Sequence, residues 1–152
     1  MAGRHVSSLD DHLGYWLRFV SSHVAHAFAL KLQAHNVTVA EWVMLRQLFD
    51  CEAVTPSELA GRLGMTRGGV SKLADRLASK SLIERSTGLA DRRFQSLALT
   101  AKGRALVPVL AALADANDSE FFGHLEPFER RRIETAMQQI VARYAFKVAP
   151  LE

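Results

Sequence analysis

The stretch "TPSELAGRLGMTRGGVSKLADRLASKSL" (residues 55–82) holds two helix starts and one abrupt stop. Thr55 is placed to cap a helix, Pro56 takes its first position, and Glu58, three residues after the cap, completes a capping box. Gly64 ends that helix, and Thr66 caps the next one after a Gly-Met turn. In this second helix Val70, Leu73, Ala74 and Leu77 fall on one face at roughly 100° per residue. The opposite face carries Gly68, Gly69, Ser71, Lys72, Asp75, Arg76 and Ser79, and is therefore small, polar and basic. Two short helices joined by a tight glycine turn, the second with such a face, form the pattern of a helix-turn-helix.

Gly68 and Gly69 each cost the helix up to ~1 kcal/mol relative to alanine, so their presence needs a reason. A merely loosened exposed turn is the bland one. Close approach to a DNA major groove, about 12 Å wide, is the other. There the helix N-terminal amides favour phosphate, and Lys72 and Arg76, one turn apart, reach phosphate or guanine. Asp75 is suited to orienting Arg76 or Arg93. The charge distribution adds weight. From Arg62 to Arg104 ten Lys/Arg face three Asp/Glu, a balance of +7, whereas the rest of the chain carries −4. A solvated charged face would explain the charge alone; charge on this helical pattern points to nucleic acid.

Beyond the second helix the period changes. "SLIERS" (81–86) and "RFQSLALT" (93–100) read as short strands, with Leu97 and Leu99 alternating against Ser96 and Ala98. "TGLAD" between them supplies the turn, which puts Arg92 and Arg93 at the tip of a hairpin. A two-stranded ribbon directly after a recognition helix is a wing. Its arginines suit a minor groove narrowed by A·T pairs, with Asp91 holding one of the guanidiniums.

The flanks are helical. Residues 8–34 repeat apolar side chains at Leu13, Trp16, Val20, Val24, Ala27 and Leu30. Thr38 and Glu41 form a capping box ahead of Val39, Trp42, Val43, Leu45, Leu48 and Phe49. Thr100 caps a long helix to about Phe122 with Pro108 inside, where a kink is expected. Pro127 opens a last helix with a stripe of Ile133, Met137, Ile140 and Tyr144. The 152 residues suit one domain. No apolar run is long enough for a signal peptide or a membrane span, and a single cysteine, Cys51, fits a reducing cytoplasm.

From Thr55 to Gly103, and more loosely along nearly its whole length, the chain resembles the MarR family of bacterial transcriptional regulators. The resemblance implies a mostly α fold with a small β-wing: a winged helix-turn-helix domain plus dimerisation helices from both termini. Residues 1–152 then form a single MarR-type domain, with 8–34 and 101–147 as dimerisation helices and 38–100 as the DNA-binding region. It implies a homodimer on a pseudo-palindromic double-stranded DNA operator. On family positions Ser57, Thr66, Arg67, Gly68, Gly69, Ser71, Lys72 and Arg76 lie on the DNA-facing helices, and Asp91, Arg92 and Arg93 match the wing motif. "STGLADRR" is more neutral ahead of that triplet than is usual in the family.

Such regulators often hold a small aromatic or phenolic effector, whose binding would release a repressor. Trp16, Phe19 and His23, along one side of the first helix with His12 and Leu30, are candidates to line its pocket. Trp42 and Arg46 on the second helix join them, Arg46 as partner for a carboxylate. Ordinary core or dimer packing accounts for the same stripe. His23 and His26 have no further ligands beside them, so no metal or other cofactor is expected. Cys51 reads as an ordinary thiol. A winged-helix module that has lost DNA binding is the main alternative, against which Lys72, Arg76, Arg92 and Arg93 argue. An enzyme is not expected, because no nucleophile–base pair or phosphate loop is present.

Overall fold

The computed structural model describes residues 5–87 and 95–145. After a 3-10 turn at Leu9–Asp11 come α1 (Leu13–Gln33), α2 (Val39–Phe49), α3 (Pro56–Leu63), α4 (Arg67–Ser79), β1 (Ile83–Thr87), β2 (Gln95–Leu99), α5 (Ala101–Phe122) and α6 (Pro127–Tyr144). The fold is mostly helical with one two-stranded antiparallel sheet, the winged-helix class expected. The first helix starts later than its periodicity suggests: His12 is extended, and residues 9–11 form the separate turn.

The caps act where the sequence puts them. Thr38, Thr55, Thr66 and Thr100 each accept from the backbone N–H three residues on, satisfying one donor that a helix start leaves orphaned. Gly64 leaves α3 in the left-handed region at φ 63°, where a side chain is disfavoured. At the far end of α4 Ser81 takes the same conformation without being glycine (φ 60°). Leu82 N donates to Leu77 O and Ser81 N to Ala78 O, a Schellman stop that feeds the chain into β1. α5 continues across Pro108.

The core lies among α2, α3, α4, the sheet and the first half of α5. Leu45, Leu48, Leu59, Val70, Leu77, Leu97, Val107 and Leu110 are all buried there. β1 and β2 pair from Ile83↔Leu99 to Thr87↔Gln95. Val54, expected to lie in a plain connection, instead exchanges two backbone hydrogen bonds with Leu97 (3.0 and 2.8 Å). β2 is thus held on both edges. On α2 the expected Trp42, Val43 and Phe49 are only half-buried, while Met44 and Glu41 are fully buried. This helix is enclosed by α1, α3, α4, α5 and β2, so it buries more than one stripe.

Gly103 has a reason that only the packing reveals. A Cβ there would stand 2.0 Å from the carbonyl oxygen of Leu82, which accepts from Thr100 N at 3.1 Å. The start of α5 therefore lies against the α4–β1 junction closer than any side chain permits. Gly103→Ala should destabilise the protein by about 2–3 kcal/mol, as overpacking against rigid backbone does. An unchanged thermal midpoint would count against that close approach.

The terminal helices are not covered. In α1 the only buried residue is Leu32, and no residue of α6 is buried. Leu13, Trp16, Phe19 and Val20 of α1 and Ile133, Met137 and Ile140 of α6 are exposed apolar side chains. Where α1 does meet α5, Asn117 forms a buried polar tie, donating to Val24 O at 3.1 Å and accepting from Lys31 Nζ at 3.1 Å.

Candidate nucleic-acid interface

α4 sets its apolar residues Val70, Leu73, Ala74 and Leu77 into the core. Its other face is therefore turned outward. Arg67, Gly68, Lys72 and Arg76 are exposed there, while Gly69 and Ser71 are half-buried beside them. Ser57 is exposed at the start of α3, and Thr66 is occupied as the cap of α4 through Gly69 N (3.0 Å). These eight predicted residues lie on the two helices of one helix-turn-helix. Asp91, Arg92 and Arg93 lie outside the described residues.

The two glycines differ. A Cβ on Gly69 would meet Met65 and Thr66 side-chain atoms at 3.2 Å, so the turn itself favours a small residue. A Cβ on Gly68 would meet nothing within 4 Å, and nothing in the protomer calls for glycine there.

Ion pairs hold α4 from two sides. Arg85 of β1 reaches Asp75 at 2.9 Å and donates to Ser71 O at 2.8 Å, joining wing strand and helix. Of the two arginines that Asp75 was expected to orient, Arg76 is therefore corrected, and Arg93 lies outside the described residues. Arg76 Nε turns to Glu41 of α2 (3.4 Å), which also receives Lys80 Nζ at 2.8 Å. Sequence reasoning missed Arg85, Lys80 and the second role of Glu41, since their partners lie far off in the chain. At the rear of α3 Arg62 Nη1 donates to Cys51 Sγ at 3.2 Å, and this hydrogen bond raises the guanidinium pKa further, so Arg62 stays charged. Cys51 itself is half-buried.

The predicted effector residues do not converge within one protomer. Phe19 and His23 stack with ring centroids 4.7 Å apart and line a shallow groove of about 270 Å³ with Tyr15, Arg18 and Ser22. Trp16 stands edge-on to Tyr15 and donates to Asp10 O. Trp42 packs edge-on against Phe28, and Arg46 is paired with Asp50 at 2.7 Å. Among the described residues no group of three or more His, Cys, Asp or Glu is arranged to hold a metal, and no helix is long and apolar enough to cross a membrane.

Residues 37–94, a span that takes in α2, α3, α4 and β1, match the model of the MarR family. Over this segment the chain is similar to the MarR family. The HTH-type transcriptional repressor Rv2887 of Mycobacterium tuberculosis is 24% identical to this chain over 131 residues, covering 86% of it and 94% of the relative. A mutant MarR of Escherichia coli complexed with operator DNA superposes with a TM-score of 0.77 at 24% identity, covering 85% of this chain and 93% of that one. BpsR of Bordetella bronchiseptica, whose DNA binding is regulated by 6-hydroxynicotinic acid, superposes with a TM-score of 0.78 at 26% identity, covering 90% and 97%.

Proposed function

We propose that this chain is a homodimeric, sequence-specific DNA-binding repressor of the MarR family, released by a small aromatic or phenolic effector. The observation that carries the DNA reading is the outward face of α4, where Gly68, Lys72 and Arg76 are exposed beyond a capped N-terminus. Small residues admit the helix to the groove, and cations meet phosphate or guanine once it is there. The uncovered apolar faces of α1 and α6 support the dimer, since patches of that size seldom stay exposed on monomers. Two recognition helices related by a twofold axis would read half-sites about one helical turn apart, ~10 base pairs. A regulator that binds chromosomal DNA must share its compartment, so the reading includes a cytoplasmic location. Selection of duplexes from a random-sequence pool by the purified protein tests it. Enrichment of an inverted repeat is expected; a pool left unenriched would remove the reading.

Gly68 offers a test in which stability and function part company. Gly68→Ala should raise stability by up to ~1 kcal/mol, because helix propensity improves and the methyl meets nothing. Operator affinity should nevertheless fall on the order of tenfold, since a methyl that pushes the helix outward lengthens several short base contacts together. A stabilised variant that binds DNA as tightly as the unaltered protein would place the close approach elsewhere.

The repressor and effector parts of the reading draw on the relatives: Rv2887 is a repressor, and BpsR responds to an aromatic acid. The groove beside Phe19 and His23 supports an aromatic ligand. Titrating hydroxylated aromatic acids against the fluorescence of Trp16 and Trp42, with bound operator as competitor, tests both parts.

A further inference from the structure

We infer that Glu41 is a positioning residue for base recognition: its buried carboxylate clamps the C-terminal end of α4 through Arg76 and Lys80 and so sets the angle at which that helix meets DNA. The inference rests on the DNA-binding reading above. Among the described residues, three α-helices open on a capping box closed by glutamate, at Thr38/Glu41, Thr55/Glu58 and Glu126/Glu129. Glu58 and Glu129 close theirs while exposed to solvent. Glu41 closes its own by accepting from Thr38 N at 3.1 Å, yet it is only 1% exposed. Capping does not require that burial, nor a charge, since glutamine serves equally at this position. A buried carboxylate is costly unless it is paired, and here the pairs come from α4.

Lys80 Nζ reaches Glu41 Oε2 at 2.8 Å and also donates to Asn36 O at 2.7 Å, while Arg76 Nε faces Oε1 at 3.4 Å. Arg76 and Lys80 stand one turn apart, so two successive rungs of α4 are fastened to the junction of α1 and α2. The Arg85 contacts with Ser71 and Asp75 hold the middle of the same helix from the wing side. The glycine-containing N-terminal turn carries no such fastening among the ion pairs found in the described residues. A thirteen-residue helix is about 20 Å long. A tilt of about 5° at its fastened end therefore moves the other end by roughly 1.7 Å, more than the ~0.5 Å range over which hydrogen bonds keep their strength. Phosphate attraction acts over about 10 Å and tolerates that shift. Loss of the clamp should for that reason damage base reading and spare non-specific binding.

Glu41→Gln keeps the cap and the side-chain volume but removes the charge. Its affinity is compared with that of the unaltered protein for two probes: the duplex that the unaltered protein enriches from a random pool, and a scrambled duplex of the same composition. The expected result is a fall of about tenfold in the ratio of specific to non-specific affinity, the size that coupling through a shared element gives. Non-specific affinity should stay within about twofold, or tighten as Arg76 and Lys80 are released. A merely structural residue would lower both affinities together with the folded fraction, and an unchanged ratio overturns the inference. If Glu41→Gln does not fold, Lys80→Met supplies the same ratio with the cap and the Arg76 contact intact, and an unchanged ratio there is equally decisive. Should the unaltered protein enrich no duplex at all, the DNA reading fails and takes this inference with it, a result distinct from an unchanged ratio.

Discussion

Met137→Glu combined with Ile140→Glu is expected to split the dimer and abolish operator binding while leaving each protomer folded. Both side chains are more than 40% exposed on α6, a helix with no buried residue of its own, so the protomer core loses nothing. In a twofold dimer each substitution counts twice. Four half-exposed apolar side chains withdrawn from an interface, at about 1 kcal/mol each, raise the dissociation constant by about 10³-fold. The carboxylates add a desolvation cost to this. Two half-sites can then no longer be held by one molecule, and the gain from joining them disappears. Sedimentation of the variant as a dimer at micromolar concentration would show that α6 is not at the interface, and α1 with its exposed Trp16, Phe19 and Val20 would have to form it alone.

The second large effect is expected at the wing. Arg92→Ala with Arg93→Ala should leave folding and dimerisation intact, since surface substitutions usually stay within ~0.5 kcal/mol each. The strands before and after them in the chain have their own anchors: Leu97 and Leu99 are buried, Val54 brackets the far edge of β2, and the Ser86 and Ser96 hydroxyls pair across the sheet at 2.8 Å. Operator affinity should fall on the order of 10²-fold at physiological salt. The slope of log affinity against log salt should flatten by about 1.8, which is about 0.9 for each phosphate no longer neutralised. The fall should be greatest where A·T pairs narrow the minor groove under the arginines. Binding equal to that of the unaltered protein would mean that residues 88–94 do not touch DNA. An unfolded variant would mean that Asp91 and its neighbours form a structural ion-pair network instead.

Much of the helix-turn-helix half was legible in the sequence. Caps at Thr38, Thr55, Thr66 and Thr100 act over three residues, Gly64 acts on its own backbone, and the stripe of Val70, Leu73, Ala74 and Leu77 repeats within one helix. Such signals are local, so the order of residues contains them in full. The strand alternation of Leu97 and Leu99 is of the same kind, and both are buried.

Tertiary structure decided the rest, because those features depend on residues distant in the chain meeting in space. Glu41 reads as one more capping glutamate until Lys80, 39 positions away, closes on it. Gly103 looks like an ordinary glycine in a helix until the Leu82 carbonyl comes within reach. Asp75 has several arginines within its range on paper, and it is the packing of β1 on α4 that brings Arg85 to it. Trp16, Phe19 and His23 form one stripe in either view, and periodicity could not say that Trp42 and Arg46 stand apart from them. By itself the sequence determined which segments are helices and strands, where the capped helices begin, and which face of α4 is polar, because hydrogen bonding and burial repeat over a few residues. Which charged groups pair, and which glycine admits a neighbouring backbone, was left to the fold, because electrostatic and steric contacts depend on distance in space rather than on separation along the chain.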